Sequence, residues 1–175
     1  FYVYRDGELP FADLVGHLLK EKDLDTIKRK KLLSCHSLVD DNPYFGELAP
    51  RPRDLSIIPS PYINGFMDKF FDQKFVPMIQ TNRGCPFSCT FCTEGNGYYS
   101  KVSKLSSDHK NSEVDYIVER VKHTKTLRVT DSNFGMYKED VEFCKYLGEI
   151  QERTGYPEYI SCSTGKNQKE RVLEC

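Results

Sequence analysis

Near the start of the chain the apolar residues follow two patterns. Residues 1–4 (FYVY) form a short aromatic and β-branched run that suits a strand. Within residues 9–19, Phe11, Leu14, Val15, Leu18 and Leu19 then recur at helical spacing. Up to about Val39 this reads as the closing strand and helix of an α/β domain. From residue 40 to 61 the pattern lapses, and Pro43, Pro50, Pro52, Pro59 and Pro61 interrupt any long helix. That stretch reads as a linker or an extended segment laid on a surface.

Periodicity resumes near Phe75. Residues 75–81 (FVPMIQT) read as a strand with Pro77 at its beginning or on an irregular edge. A cysteine-bearing loop and a polar stretch follow, to about Asn111. Ser112 is positioned to cap a helix with Val114, Ile117, Val118 and Val121 on one face. Residues 127–130 form a short strand. A helix over 139–152 turns Val141, Cys144, Leu147 and Ile150 inward, and residues 159–163 make a third strand. Strand, long loop, helix, strand, helix, strand is a β/α repeat. It predicts a parallel sheet with ligand-handling loops at the carboxyl ends of its strands. Three strands do not close a barrel, so an open sheet and a truncated (β/α) barrel both fit.

Composition narrows the function classes. The 175 residues carry 25 Lys and Arg against 26 Asp and Glu, so no basic field marks nucleic acid as a partner. The local run at 28–31 (KRKK) suits a solvated helix end. The 7 cysteines, an odd number, make a poor disulfide framework. No secretory signal or long apolar stretch appears, so neither export nor a membrane is expected. The expected location is the reducing cytoplasm. Both ends break into periodic segments, so an internal fragment of a longer protein is expected.

The chemistry concentrates in residues 80–92, QTNRGCPFSCTFC. Cys85, Cys89 and Cys92 are spaced four and three apart on a loop after a strand. A loop lets three thiolates converge, and thiolates select soft metals or iron–sulfur clusters. Three local ligands leave one coordination position open, which suits catalysis, whereas structural sites are normally closed by four. Zinc held by these thiolates plus His109 or Cys162 is the competing reading.

The segment CPFSCTFC resembles the C-x3-C-x2-C motif of the radical S-adenosylmethionine (SAM) superfamily, and Phe91 stands where an aromatic precedes the third cysteine. Residues 58–72 (IPSPYINGFMDKFFD), followed by PMIQTNRGCPFSCTFC, resemble the group with a cobalamin-binding domain ahead of the radical SAM domain. GELPF, with Glu8 and Phe11, is similar to a segment late in that cobalamin-binding domain. The resemblance covers nearly the whole chain. It implies three parts: residues 1–39 as the end of a cobalamin-binding-like α/β domain, 40–74 as an interdomain segment, and 75–175 as the first part of a radical SAM (β/α) barrel.

It further implies that Cys85, Cys89 and Cys92 hold a [4Fe–4S] cluster whose fourth iron takes the amino and carboxylate groups of S-adenosyl-L-methionine. Phe91 would lie beside the adenine. Asp131 and Asn133, in DSNF after the second strand, stand where the family often has a Gly-Gly-Glu-like segment, and would accept from the SAM ammonium. An Asx-type helix cap explains Asn133 equally well. Ser163 and Lys166, in STGKN after the third strand, resemble the segment facing the SAM ribose and carboxylate; a solvated lysine is the plain alternative.

The activity so implied is reductive cleavage of SAM to a 5′-deoxyadenosyl radical. It carries a lean towards cobalamin-dependent methyl transfer to a small molecule, and a reductant such as flavodoxin or ferredoxin as partner. A methylthiotransferase-like radical SAM enzyme needs a second three-cysteine site upstream, where Cys35 stands alone. A non-enzymatic zinc module is the alternative from another class. The cobalamin-binding motif itself would lie upstream, so cobalamin concerns the longer protein.

Overall fold

The computed structural model describes residues 1–165 and 167–175. They form two compact units, Phe1–Pro52 and Arg53–Cys175, of mixed α/β structure.

In the first unit, β1 (Tyr2–Val3) leads to α1 (Glu8–Lys20) and α2 (Leu24–Arg29), and then to β2 (Cys35–Val39) and β3 (Asn42–Phe45). The Asp23 carboxylate caps α2 by accepting from the Asp25 and Thr26 amides. The strands pair antiparallel in the order β1-β2-β3, where the sequence pattern indicated one closing strand and helix of an α/β domain. For β2 and β3 the cause is the two-residue connection at Asp40 and Asp41, with φ of 48° and 59°. Positive φ at both positions gives the turn the hand that a tight hairpin needs, and so short a connection permits only antiparallel pairing. Pro43 sits on β3, an edge strand, where its missing N–H costs little. Leu14, Ile27, Leu32 and Cys35 make the core, with Val3 packed on it. The helical stripe of α1 is only partly used: Leu14 is buried, whereas Phe11 and Leu19 are 59% and 83% exposed.

The second unit contains β4 (Met78–Ile79), β5 (Asn82–Arg83), β6 (Ser103–Lys104), α3 (Ser107–Val118), β7 (Thr126–Val129), α4 (Lys138–Thr154), β8 (Tyr159–Ser161) and α5 (Lys169–Glu174). β4, β7 and β8 pair in parallel, with Ile79 opposite Val129 and Leu127 opposite Ile160. Among the described residues this is an open three-stranded sheet. Helices follow β4 and β7, and their inward residues Val114, Ile117, Phe143, Leu147 and Ile150 bury Ile79, Leu127 and Val129 in one core. Residues 53–62, inside the proline-rich stretch, pack within this unit: Leu55, Ser60 and Tyr62 are buried. The Tyr62 hydroxyl donates to the Met78 carbonyl at 2.9 Å and accepts from the Met78 amide at 3.0 Å. One side chain thus satisfies both backbone groups at the outer edge of β4.

α3 begins well before Ser112. Ser106 is the cap, its hydroxyl accepting from the His109 amide at 3.3 Å. Lys110 and Glu113 lie on the buried side, so the polar stretch that concealed this turn is part of the core-facing helix.

Candidate cofactor-binding site

The cysteine loop springs from a short antiparallel ribbon. β5 enters it and β6 leaves it, with Asn82 opposite Lys104 and Arg83 opposite Ser103. Gly84, at φ 116°, makes the turn out of β5 that an L side chain would resist. Cys85 follows, buried, its amide bonded to the Tyr99 carbonyl at 2.9 Å. Cys89 and Cys92 share one turn, closed by the Cys92 amide on the Cys89 carbonyl at 3.2 Å. The Gly95 amide then bonds the Cys92 carbonyl at 3.0 Å. A Cβ at Gly95 would sit 2.1 Å from the Cys89 oxygen, so only glycine lets the chain fold back here.

All three cysteines are free thiols. Among the described residues no three His, Cys, Asp or Glu side chains converge as a metal-holding group, so the shared point expected for the three sulfurs is not formed in this conformation. A metal and its site form jointly. The donor set itself fits a soft centre: three thiolate donors on one loop, two of them in a single turn. The fourth ligands considered for zinc are otherwise engaged. His109 Nε2 lies 3.6 Å from a Glu113 carboxylate oxygen, and Cys162 packs against the core. Cys144 also packs on that core, and Cys35 belongs to the core of the first unit.

Asp131, just past β7, is only 2% exposed. Its carboxylate accepts from the Thr81 amide at 2.8 Å, the Thr81 hydroxyl, the Asn82 amide at 3.4 Å and the Asn82 side-chain amide at 2.8 Å. Both oxygens are therefore engaged by the residues at the base of the cysteine loop. Burial pushes its pKa up to about 6, although the hydrogen bonds from Thr81 and Asn82 oppose the rise. Burial likewise raises Asp140 and lowers Lys110, whose ammonium lies over the Phe143 ring and reaches the Glu139 carbonyl at 3.3 Å.

A pH effect follows from Asp131. Its folded pKa of about 6 exceeds the ordinary 3.8, so the folded state holds the proton more tightly across that window. The group's contribution to stability falls as pH rises from about 4 to about 6 and is flat above, by about 3 kcal/mol in all. Urea unfolding of wild type and Asp131→Asn at successive pH values will show this as a declining stability difference. A difference that is flat or rises with pH contradicts it.

Asn133 is 1% exposed, and neither its side-chain oxygen nor its nitrogen has a hydrogen-bond partner among the described residues. The loops after β7 and β8 are joined by backbone: the Phe134 amide bonds the Ser163 carbonyl at 2.9 Å and the Gly165 amide bonds the Phe134 carbonyl at 2.8 Å. Ser163 is exposed, and the Phe91 ring is 87% exposed. Lys166 lies outside the described residues. The structure thus brings the ends of β4, β7 and β8 together through Thr81, Asp131, Phe134 and Ser163. Sequence reasoning missed Thr81 and Asn82; the signal was two polar side chains at a strand end directly ahead of the cysteine motif.

The chain is 30% identical over 179 aligned positions to the 2-(S-pantetheinyl)-carbapenam-3-carboxylate methyltransferase of Streptantibioticus cattleyicolor, an alignment covering 98% of this chain and 25% of that protein. It is 30% identical over 135 positions to the cobalamin-dependent radical SAM methyltransferase TokK of Streptomyces tokunonensis, covering 74% of this chain and 20% of the relative. These alignments link the chain to the radical SAM superfamily, among its cobalamin-related methyltransferases. The hopanoid C-2 methylase of Rhodopseudomonas palustris matches 55% of the chain at 29% identity, over 19% of its own length. The chain therefore spans about a quarter or less of the length of these curated relatives. No protein-family model matches the sequence. Among the described residues no helix is long and apolar enough to cross a membrane.

Proposed function

We propose that this chain is part of a radical SAM enzyme, in which Cys85, Cys89 and Cys92 hold a [4Fe–4S] cluster and the longer protein transfers a methyl group with cobalamin. The observation that carries the reading is the placement of a three-thiol loop after the first strand of a parallel sheet, with the end of the neighbouring strand β7 hydrogen-bonded to its base and the loops after β7 and β8 hydrogen-bonded to each other. The carboxyl edge of such a sheet is where ligands are handled in α/β folds. The relatives agree with this reading: two are methyltransferases and one a methylase.

Cys85, Cys89 and Cys92 would hold the cluster, which when bound would pass one electron from an external reductant to the SAM sulfonium and so supply its reductive cleavage to methionine and a 5′-deoxyadenosyl radical. The residues of this chain bind and orient. The three thiolates ligate iron and leave one position free of protein donors. The exposed Phe91 ring offers a flat apolar surface to an adenine. Asn133 supports a polar ligand at this edge, because a buried amide with both ends unsatisfied among the described residues costs on the order of 1–3 kcal/mol per group. Ser163 presents a hydroxyl from the adjoining loop, and Lys166 supplies a cation for a carboxylate. Flavodoxin or ferredoxin is the class of reductant this chemistry needs.

Anaerobic titration of the reduced, iron-loaded protein with SAM, followed by electron paramagnetic resonance, tests the reading. A spectrum altered by SAM in wild type, with the response weakened in Lys166→Ala at equal iron content, is the expected result. A wild-type spectrum indifferent to SAM would sink it.

A further inference from the structure

Extending the parallel register of Ile79 opposite Val129 by two residues sets Asp131 opposite Thr81. At that point the ladder has ended, and the Thr81 and Asn82 amides need acceptors from elsewhere. The Asp131 carboxylate supplies them and also takes the two side-chain donors. The outgoing strand is tied separately: Lys104 Nζ lies 2.7 Å from a Glu139 carboxylate oxygen, and the Leu105 amide bonds the Thr81 carbonyl at 2.9 Å.

We propose that Asp131 is a positioning residue for the cysteine loop, fixing the strand end from which Cys85 departs and thereby setting how tightly the three thiols hold a soft metal. The inference rests on the cluster reading above. Only Arg83 and Gly84 stand between Asn82 and Cys85, so a displacement at the clamp passes along the backbone to that cysteine first. Cys144, on α4 and packed against the core, is remote from it in sequence and held by other contacts. A carboxylate is an acceptor at both oxygens, which four donors require. Asparagine keeps the size but has one acceptor oxygen in place of two, so the four donors of Thr81 and Asn82 no longer all find the acceptor they have in the carboxylate.

The test uses the apo chain and Co(II) alone, under anaerobic conditions, with thiolate-to-cobalt charge-transfer absorbance as the spectroscopic signature. Wild type is expected to bind cobalt with a thiolate band. Asp131→Asn is expected to bind roughly ten-fold or more weakly, the scale seen when outer partners of a metal site are removed. Thr81→Val, which removes one donor and keeps bulk, shows a smaller loss in the same direction. Alkylation mapped by mass spectrometry should rise selectively at Cys85 in Asp131→Asn, with Cys144 unchanged. Equal cobalt affinity and band intensity in wild type and Asp131→Asn overturns the proposal. So does Cys144 opening in step with Cys85, which marks a general structural role. A wild-type protein with no thiolate–cobalt band is a different result, because it overturns the three-thiol reading itself.

Discussion

Serine in place of Cys85, Cys89 or Cys92 is expected to strip the chain of its iron after anaerobic reconstitution, while its circular dichroism stays that of wild type. Under the proposed ligand set each cysteine is one of three protein ligands, so its loss must exceed the roughly 10–100-fold cost of removing a partner that only orients a ligand. The fold is spared because Cys89 and Cys92 are partly exposed on the loop and contribute little to the core. Cys85 is buried, and serine keeps most of its volume there. Serine at Cys144, which packs on the core, gives the opposite pattern: iron is retained and stability falls. Iron assay alongside thermal unfolding separates the two. Full iron retention in any single loop variant contradicts the ligand set.

Phe143→Ala has the largest expected effect on stability, a loss of about 3–5 kcal/mol in urea unfolding. The ring is 1% exposed, stands edge-on to Phe134 at 6.5 Å between centroids, and has the Lys110 ammonium 5.1 Å above it. Truncation opens a cavity beneath the parallel sheet and removes the aromatic face against which a buried cation rests. Phe134 also belongs to the joint between the loops after β7 and β8. The damage therefore reaches the candidate site through packing, without any contact to ligand. A loss below about 1 kcal/mol contradicts the assignment of Phe143 to the centre of this core.

The parallel β/α order was legible because its signals are local. Strand runs at 127–130 and 159–163 sit within two residues of the observed β7 and β8, and Val114, Ile117, Val141 and Leu147 are all buried as their spacing implied. The start of α3 was not legible. Lys110 and Glu113 face inward, and a hydrophobic pattern cannot register charged residues that are buried with partners. The hairpin of the first unit escaped for another reason: its turn is Asp40–Asp41, without the glycine that usually announces positive φ.

At the site, the cysteine spacing pointed to the chemistry, because covalent connectivity alone keeps three thiols near one another. The work of Asp131 could not be read the same way. Its partners Thr81 and Asn82 lie fifty residues earlier, and only the strand register brings them opposite. Read alone, a carboxylate at a strand end suggests a ligand contact. In the fold, both of its oxygens are occupied by the loop base.

The central claim, that three thiols on this loop hold a [4Fe–4S] cluster with one iron open to SAM, is tested most directly by iron and acid-labile sulfide analysis of the anaerobically reconstituted chain. The account predicts about four iron and four sulfide per chain, a brown protein, and a paramagnetic signal on reduction, all lost in the triple Cys85→Ala, Cys89→Ala, Cys92→Ala variant. A colourless protein that takes up a single zinc through these cysteines and no sulfide would contradict it.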